Sequence, residues 1–486
     1  MNVLNIKFFA LTSAIILFSY FFIGSGFHSD DYTAFDQANK KTFNEYFELS
    51  TENLGQNFFG IINFYFFYSL YELISADYEI IFDFLKYFIN LFSILFFYLF
   101  FRNFFDKFRS ILFSIIFILY PAHDSTMYWY MTSVYIFTSA LIFLSFHLLI
   151  NNFNKSGYIL LLLSTFTSYS SPPYIFGLSI YLLLTNSIKK FFIVFLIGII
   201  YLIFYLYFGL IENNEVKFDK SLDLLIFIKN FTIQLISSID SVVGINFFLK
   251  IYYSIMKIQL ISVIFFLLLS CLIFYLIFQN KFEYKNNNYG KLIIALIAVY
   301  LLSLIMFSLT GRYIQSPFNL GNRVTIYSSL LVVCIIVYFI KNKITFITVL
   351  LLILFTSLGI SDHWKEWNDQ QKIIINNINN NKDLKGLTER DTLVISKNLY
   401  SKLGKFSHIE FLSQPWIVSP LFSNSLDSKV NKIVISQHTM IKENKIKDKK
   451  YNRSILLKEN IYKYDTSDDS LIEINYEDLL KYNNEI

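Results

Sequence analysis

A succession of apolar runs, each nearly as long as a bilayer is thick, governs what this chain can fold into. A hydrocarbon core of about 30 Å takes on the order of 20 apolar residues per helix. Runs of that length or somewhat less lie near residues 7–25, 79–101, 109–121, 130–149, 157–170, 174–187, 191–210, 259–278, 292–309, 323–340 and 344–360. An α-helical polytopic membrane protein with about 11 transmembrane helices is therefore expected. Charge agrees, since only 16% of the 486 residues are charged where soluble proteins carry roughly 25%. A water-soluble domain of this composition is excluded. The charge is also unevenly placed: residues 361–486 hold 19 of the 41 Lys and Arg and 18 of the 36 Asp and Glu. Two domains are expected, a transmembrane domain over 1–360 and a water-facing tail over 361–486. The tail reads as a helix over 364–380, strands near 392–396, 409–412, 432–436 and 454–457, and a last helix over 476–482, a small α/β domain. Trp364, Trp367 and Trp416 read as core residues of it, with polysaccharide binding as the alternative.

The first apolar stretch, from Phe8 to Ile23, is longer than a usual signal-peptide core and no A-x-A site follows it, so it reads as a retained span. Lysine and arginine stay on the cytoplasmic side. With the N-terminus inside, the inner loops carry Arg102, Lys107 and Arg109, Lys155, Lys189 and Lys190, Lys281, Lys285 and Lys291, then Lys341 and Lys343. The outer loops 121–129 and 169–173 carry none. An odd number of spans then places the tail outside, in a Gram-negative bacterium the periplasm. The short spans near 109–121, 157–170 and 174–187 are pinned by basic residues at their inner ends, so the shortfall is expected on the outer side as a cavity. The net charge of +5 is not gathered into a basic stripe, so no nucleic-acid partner is expected. Cys271 and Cys334 fall inside apolar runs and offer no disulfide to the exposed parts.

The outer loops carry the chemistry. The first, 26–78, begins His28-Ser29-Asp30-Asp31 directly after the first span and continues through Glu45 and Glu48 with helical spacing, so one or two amphipathic surface helices are expected there. Adjacent carboxylates at a span exit point to function, and Ser29, Asp30 and Asp31 are also good helix caps, a role compatible with the first. The second loop carries His123, Asp124 and Trp129, and the third carries Tyr169 before Pro172-Pro173. For His123 and Asp124 a turn-and-cap role stands beside a place in the site. A longer outer segment, about 211–258, holds Glu212, Glu215, Lys217 and Lys220, and most of its mixed charges read as solvated. A divalent metal such as Mg or Mn held by Asp30, Asp31, His123 or Asp124 is chemically reasonable, although the spacing matches no strong metal signature. Arg312 and Arg323 disobey the charge asymmetry at both ends of one outer loop. Arginine grips phosphate bidentately and keeps its charge on burial, so both are read as phosphate ligands, with headgroup snorkelling as the bland alternative.

An acidic pair after the first span, surface helices in the first outer loop, short spans around an outward cavity and a soluble tail resemble the GT-C glycosyltransferases. Within that superfamily the layout, length, aromatic-rich composition and Asp30-Asp31 are similar to the phage-type serotype-converting O-antigen glucosyltransferases of enteric bacteria. The likeness is best over the first 210 residues and finds no motif in the tail. It implies an inverting hexosyltransferase of the bacterial inner membrane that moves glucose from a polyprenyl-phosphate donor, such as undecaprenyl phosphate glucose, to O-antigen or lipopolysaccharide hydroxyls on the periplasmic side. Asp30 or Asp31 would then be the catalytic acid group and Arg312 and Arg323 the donor-phosphate ligands. His28, Glu45, Glu48, His123, Asp124, Trp129 and Tyr169 would bind acceptor sugar or support the site. The tail lacks a D-x-D or Gly-rich phosphate motif, in keeping with a lipid rather than a nucleotide donor. An O-antigen polymerase and a lipid-linked sugar flippase or exporter are the competing classes.

Overall fold

A computed structural model describes residues 3–52, 57–211, 223–278, 289–311, 313–340, 342–387, 391–423, 425–426, 430–449 and 453–485. Among these residues, eight helical segments are long and apolar enough to cross a membrane: Ala76–Phe101, Tyr130–Ile150, Ile188–Tyr207, Leu224–Ile255, Leu260–Phe278, Tyr289–Thr310, Gly321–Phe339 and Lys343–Asn380. The chain is thus a helical, membrane-embedded protein with a small C-terminal strand domain. The first run is the helix Val3–Phe18. The expected short spans are short helices, Lys107–Ile118, Asn154–Thr165 and Ser171–Leu184, each about 18–21 Å at 1.5 Å per residue. Beyond the end of Lys107–Ile118 the chain is non-helical in part yet buried throughout residues 119–130.

The segment over 211–258, expected as an outer loop, includes Leu224–Ile255, which is long and apolar enough to cross a membrane. It forms two apolar helices, Leu224–Val243 and Ile245–Ile255, joined at Gly244. An added crossing here would reverse the parity on which the outward placement of the tail rests. Glu212, Glu215, Lys217 and Lys220 of that segment lie outside the described residues.

The chain divides into two compact units: Met1–Gly26 with Lys41–Trp364, the membrane unit, and Phe27–Lys40 with Lys365–Ile486, the tail unit. A division at residue 360 therefore differs in two respects: residues 361–364, with Trp364, group with the membrane unit, and the segment bearing His28, Asp30 and Asp31 groups with the tail. The hydropathy drop near 360 does not end a helix either. Lys343–Asn380 is one helix of 38 residues, because nothing between Ser361 and Asn380 removes a backbone donor.

Within the membrane unit, small residues set close helix contacts. A Cβ on Gly177 would lie 2.5 Å from the Val299 nitrogen, and one on Gly359 would collide with the Ser254 carbonyl. A buried ion pair fixes the exit of the first helix. Asp83 and Lys86, on one face of Glu79–Phe101, are 2.8 Å apart. Asp83 accepts the Gly24 and Gly26 amides at 2.7 and 3.1 Å, while Lys86 donates to Ser25 Oγ, to the Gly26 carbonyl and to the Tyr128 carbonyl. Every charge of the pair is satisfied, the condition under which buried ions are tolerated.

Among the described residues the tail unit has nine strands: β1 Thr392–Lys397, β2 Tyr400–Leu403, β3 Phe406–Glu410, β4 Asn431–Ile435, β5 Thr439–Lys442, β6 Lys445–Asp448, β7 Arg453–Leu456, β8 Asn460–Asp465 and β9 Ser470–Glu473. The main sheet has the order β4-β1-β8-β9, with β1 parallel to both neighbours and β9 antiparallel to β8. Its side chains alternate with period two. Val394, Val434 and Tyr464 join Ile378, Leu384, Ile417 and Phe422 in one core. Leu393, Ile395, Ile433, Ile435 and Ile461 join Leu479 and Tyr482 of the last helix in another. Burial on both faces explains why the centre of β1, Leu393-Val394-Ile395, is continuously apolar.

Candidate functional site

In the membrane unit, residues from separate helices and loops meet around Asp124, which is 1% exposed. Lys250 Nζ lies 2.5 Å from its Oδ1, Asn322 Nδ2 donates to the same oxygen at 2.7 Å, and the Trp364 indole donates to Oδ2 at 2.8 Å. Lys250 also donates to the Pro317 carbonyl. Asn322 in turn accepts from Ser125, and Thr325 Oγ1 donates to the Ala122 carbonyl at 2.7 Å, so the loops at 121–128 and 319–325 are joined along their length. With both oxygens engaged by donors, Asp124 does not fit the role of a metal ligand in this arrangement. Among the described residues, no three His, Cys, Asp or Glu side chains come together as a metal site.

Arg323 is next in sequence to Asn322 and is half-buried in an aromatic frame. Its guanidinium carbon lies 5.0 Å from the ring centre of Tyr313, 5.9 Å from Tyr135 and 6.0 Å from Trp129. Such placements stabilise a cation by about 0.5–2 kcal/mol. Tyr135 hydroxyl bonds to that of Tyr169, which ties in the third loop. The Trp129 Nε1–H is buried and has no acceptor among the described residues, an orphan donor beside a cation. The structure therefore gathers four sequence-selected residues, Asp124, Trp129, Tyr169 and Arg323, and adds Lys250, Asn322, Tyr313, Tyr135 and Trp364. Arg312 lies outside the described residues.

His123 is fully buried next to Asp124, and its ring nitrogens make no hydrogen bond of ordinary geometry among the described residues. Burial holds its imidazole down from 6.5 to about 3, Asp124 opposing and Lys250 reinforcing the shift. A folded-state value below the unfolded one means the unfolded chain binds more protons between these limits. The resulting stability is full above about pH 6.5 and is lost as pH falls toward 3. The thermal midpoint of the detergent-solubilised protein is expected to drop through that window, and His123→Leu to flatten the drop. Equal pH slopes for the two proteins would contradict it.

In the tail unit, the helix Asp30–Lys40 starts after Ser29, whose φ of +50° is unusual for a residue with a side chain. Asp31 is fully buried, and its Oδ2 accepts the His28 amide at 2.9 Å. The His28 ring is held by Gln371 Nε2 at 3.0 Å. Asp30 differs: half-buried, it receives the Trp416 indole N–H on Oδ1 at 2.8 Å, and its Oδ2 has no partner among the described residues. The Trp416 ring carries Arg453 at 5.3 Å. Beside this group, Ser29 Oγ donates to the buried Glu410 at 3.5 Å. Trp416 is thus more than the core tryptophan its sequence context suggests, and Glu410 is a residue the sequence reading misses. A carboxylate between Ile409 and the apolar pair Phe411-Leu412 is the signal that marks the latter.

Glu45 and Glu48 stay exposed. Glu45 accepts the Thr42 amide at 2.8 Å while Thr42 Oγ1 accepts the Glu45 amide at 3.4 Å, a capping box opening the helix Phe43–Glu52. No protein-family model matches the chain, and no curated protein sequence is significantly similar to it.

Proposed function

We propose that the chain is a GT-C-like inverting glycosyltransferase of the bacterial inner membrane. It moves a hexose, by resemblance glucose, from a polyprenyl-phosphate donor to O-antigen or lipopolysaccharide hydroxyls. The tail and the reaction are then periplasmic and the N-terminus cytoplasmic, an arrangement that requires Leu224–Ile255 to make no net crossing. The observation that carries the donor end is the caged Arg323 with the orphan Trp129 N–H beside it: a fixed cation and an unused donor suit the oxygens of a lipid phosphate. The acceptor end is supported by Asp30, one of whose oxygens is held by Trp416 while the other is left without a partner among the described residues.

The chemistry is one displacement. The Asp30 carboxylate takes the proton of the acceptor hydroxyl as its oxygen bonds to the anomeric carbon. The bond from that carbon to the phosphate oxygen breaks, and the polyprenyl phosphate leaves with the electron pair. Arg323, with Arg312 sharing the role, holds the charge that grows on the phosphate. The anomeric centre inverts. Asp31, engaged by the His28 amide, sets the turn that presents Asp30.

Membranes containing the protein, given radiolabelled polyprenyl-phosphate glucose and O-antigen, are expected to move label onto the polysaccharide as side branches. Label that stays in the lipid fraction would refute transfer. Longer chains without branches would make the protein a polymerase.

A further inference from the structure

The tail unit holds a second polar feature that the transfer chemistry leaves unused. A cleft with a cavity volume of about 30 Å³ is lined by Asn398, Tyr400, Ser413, Gln414, Ser436, Gln437, His438 and Asp448. Asn398 directly follows β1 and Ser436–His438 directly follow β4, so the cleft opens at the carboxyl ends of two adjacent parallel strands, where open α/β sheets bind ligands. Its walls are fixed. The Asn398 amide donates to the Ile435 carbonyl at 3.3 Å, and the Thr439 and His438 amides close a turn on Ser436 at 2.8 and 3.3 Å.

Two properties of the lining select the ligand. Gln414 is 2% exposed; its Nε2 donates to Glu410 at 3.1 Å, whereas its Oε1 is buried with no donor among the described residues. Such an atom costs about 1–3 kcal/mol until a donor reaches it. Among the described residues the lining contains a carboxylate, Asp448, and no lysine or arginine, which disfavours phosphate and other anions. Amide, hydroxyl and imidazole groups around one tyrosine ring instead match a neutral molecule rich in hydroxyls. Burial, aided by Glu410, pushes the Tyr400 phenol up, so it remains a hydroxyl donor. The volume admits about two water-sized groups, the size of one or two sugar hydroxyls, with the ring and the rest of a chain left outside.

We infer that this cleft is a glycan subsite that holds the acceptor polysaccharide by the edge of a neutral sugar. Its identification with the acceptor rests on the transferase reading; its affinity for neutral glycan does not. A hydrogen-bonded series, Gln414 to Glu410 at 3.1 Å and Ser29 to Glu410 at 3.5 Å, runs from the cleft to the residue before Asp30. A glycan held there is thereby coupled to the segment that carries the base.

The test uses the full-length protein in lipid nanodiscs. Dextran, mannan and O-polysaccharide released by mild acid are screened by saturation-transfer NMR and titrated, with inorganic polyphosphate as the anionic control. Gln437 and His438 are exposed, so Gln437→Ala and His438→Ala leave the cores untouched. Wild type is expected to bind at least one neutral glycan and not polyphosphate, and the double variant to bind it about tenfold more weakly, as for the loss of one or two hydrogen bonds. Absence of glycan binding by wild type, or unchanged affinity in the variant, would overturn the subsite. Label transfer is read on the same samples. Glycan binding that weakens in the variant while wild type transfers nothing would keep the subsite and sink the transferase. Transfer by wild type with variant affinity unchanged would do the reverse.

Discussion

Replacing Asp30 by Asn should lower transfer of the lipid-borne sugar by about 10²- to 10⁴-fold, the usual worth of a positioned general base, with the protein still folded. The amide keeps the shape and still accepts the Trp416 indole N–H on its oxygen, so the loss is one of proton acceptance. Asp31→Asn should act differently. Asp31 is fully buried on the His28 amide, and its replacement should lower the thermal midpoint as well as turnover. Membrane transfer rates and melting curves on the two variants separate these outcomes. Wild-type transfer by Asp30→Asn would remove it from the role of base.

The second large effect is structural. Lys250→Met should destabilise the membrane unit by about 3–5 kcal/mol, because it leaves Asp124 charged, buried and without its cation. Asn322 and Trp364 still donate to Asp124 but do not neutralise it. Adding Asp124→Asn to Lys250→Met removes the stranded charge and should recover most of the loss. Thermal unfolding in detergent measures both. A Lys250→Met protein that melts with wild type would mean that the pair does not hold the loops at 121–128 and 319–325 together.

These residues also mark where sequence patterns are informative and where they fail. The apolar runs become helices because hydropathy over a bilayer's thickness is a strong constraint. Arg323 is visible because it breaks the charge asymmetry, and Asp124, Trp129 and Tyr169 because polar and amphipathic residues at span ends are few. Lys250 is not visible. It sits with Lys229 and Asp240 in the segment Leu224–Ile255, and those charges interrupt the apolar run enough to suggest a solvated loop. Its partner is 126 positions away, a separation that no local pattern reports. Asp83 and Lys86 escape notice for another reason: an i,i+3 pair inside a clear span reads as noise in hydropathy, although charges at that depth are rarely idle.

The tail is legible where strands are buried on both faces, as at β1 and β4, and not where they are short and amphipathic, as at β5, β6 and β9. The capping box of Thr42 and Glu45 is readable from its T-x-x-E spacing. The glutamate in it attracts a functional reading because carboxylates near a span exit invite one. Trp416 shows the opposite case. Composition alone favours a core role for tryptophan, and only the fold brings its indole to Asp30.

The decisive measurement is an electron cryomicroscopy structure of the protein in nanodiscs with a non-reactive polyprenyl-phosphate sugar bound. The donor phosphate should contact the Arg323 guanidinium, and an Asp30 oxygen should stand where an acceptor hydroxyl about 3–3.5 Å from the anomeric carbon can reach it. A donor phosphate bound away from Arg323, or an Asp30 tens of ångströms from the sugar, would contradict the proposed transfer.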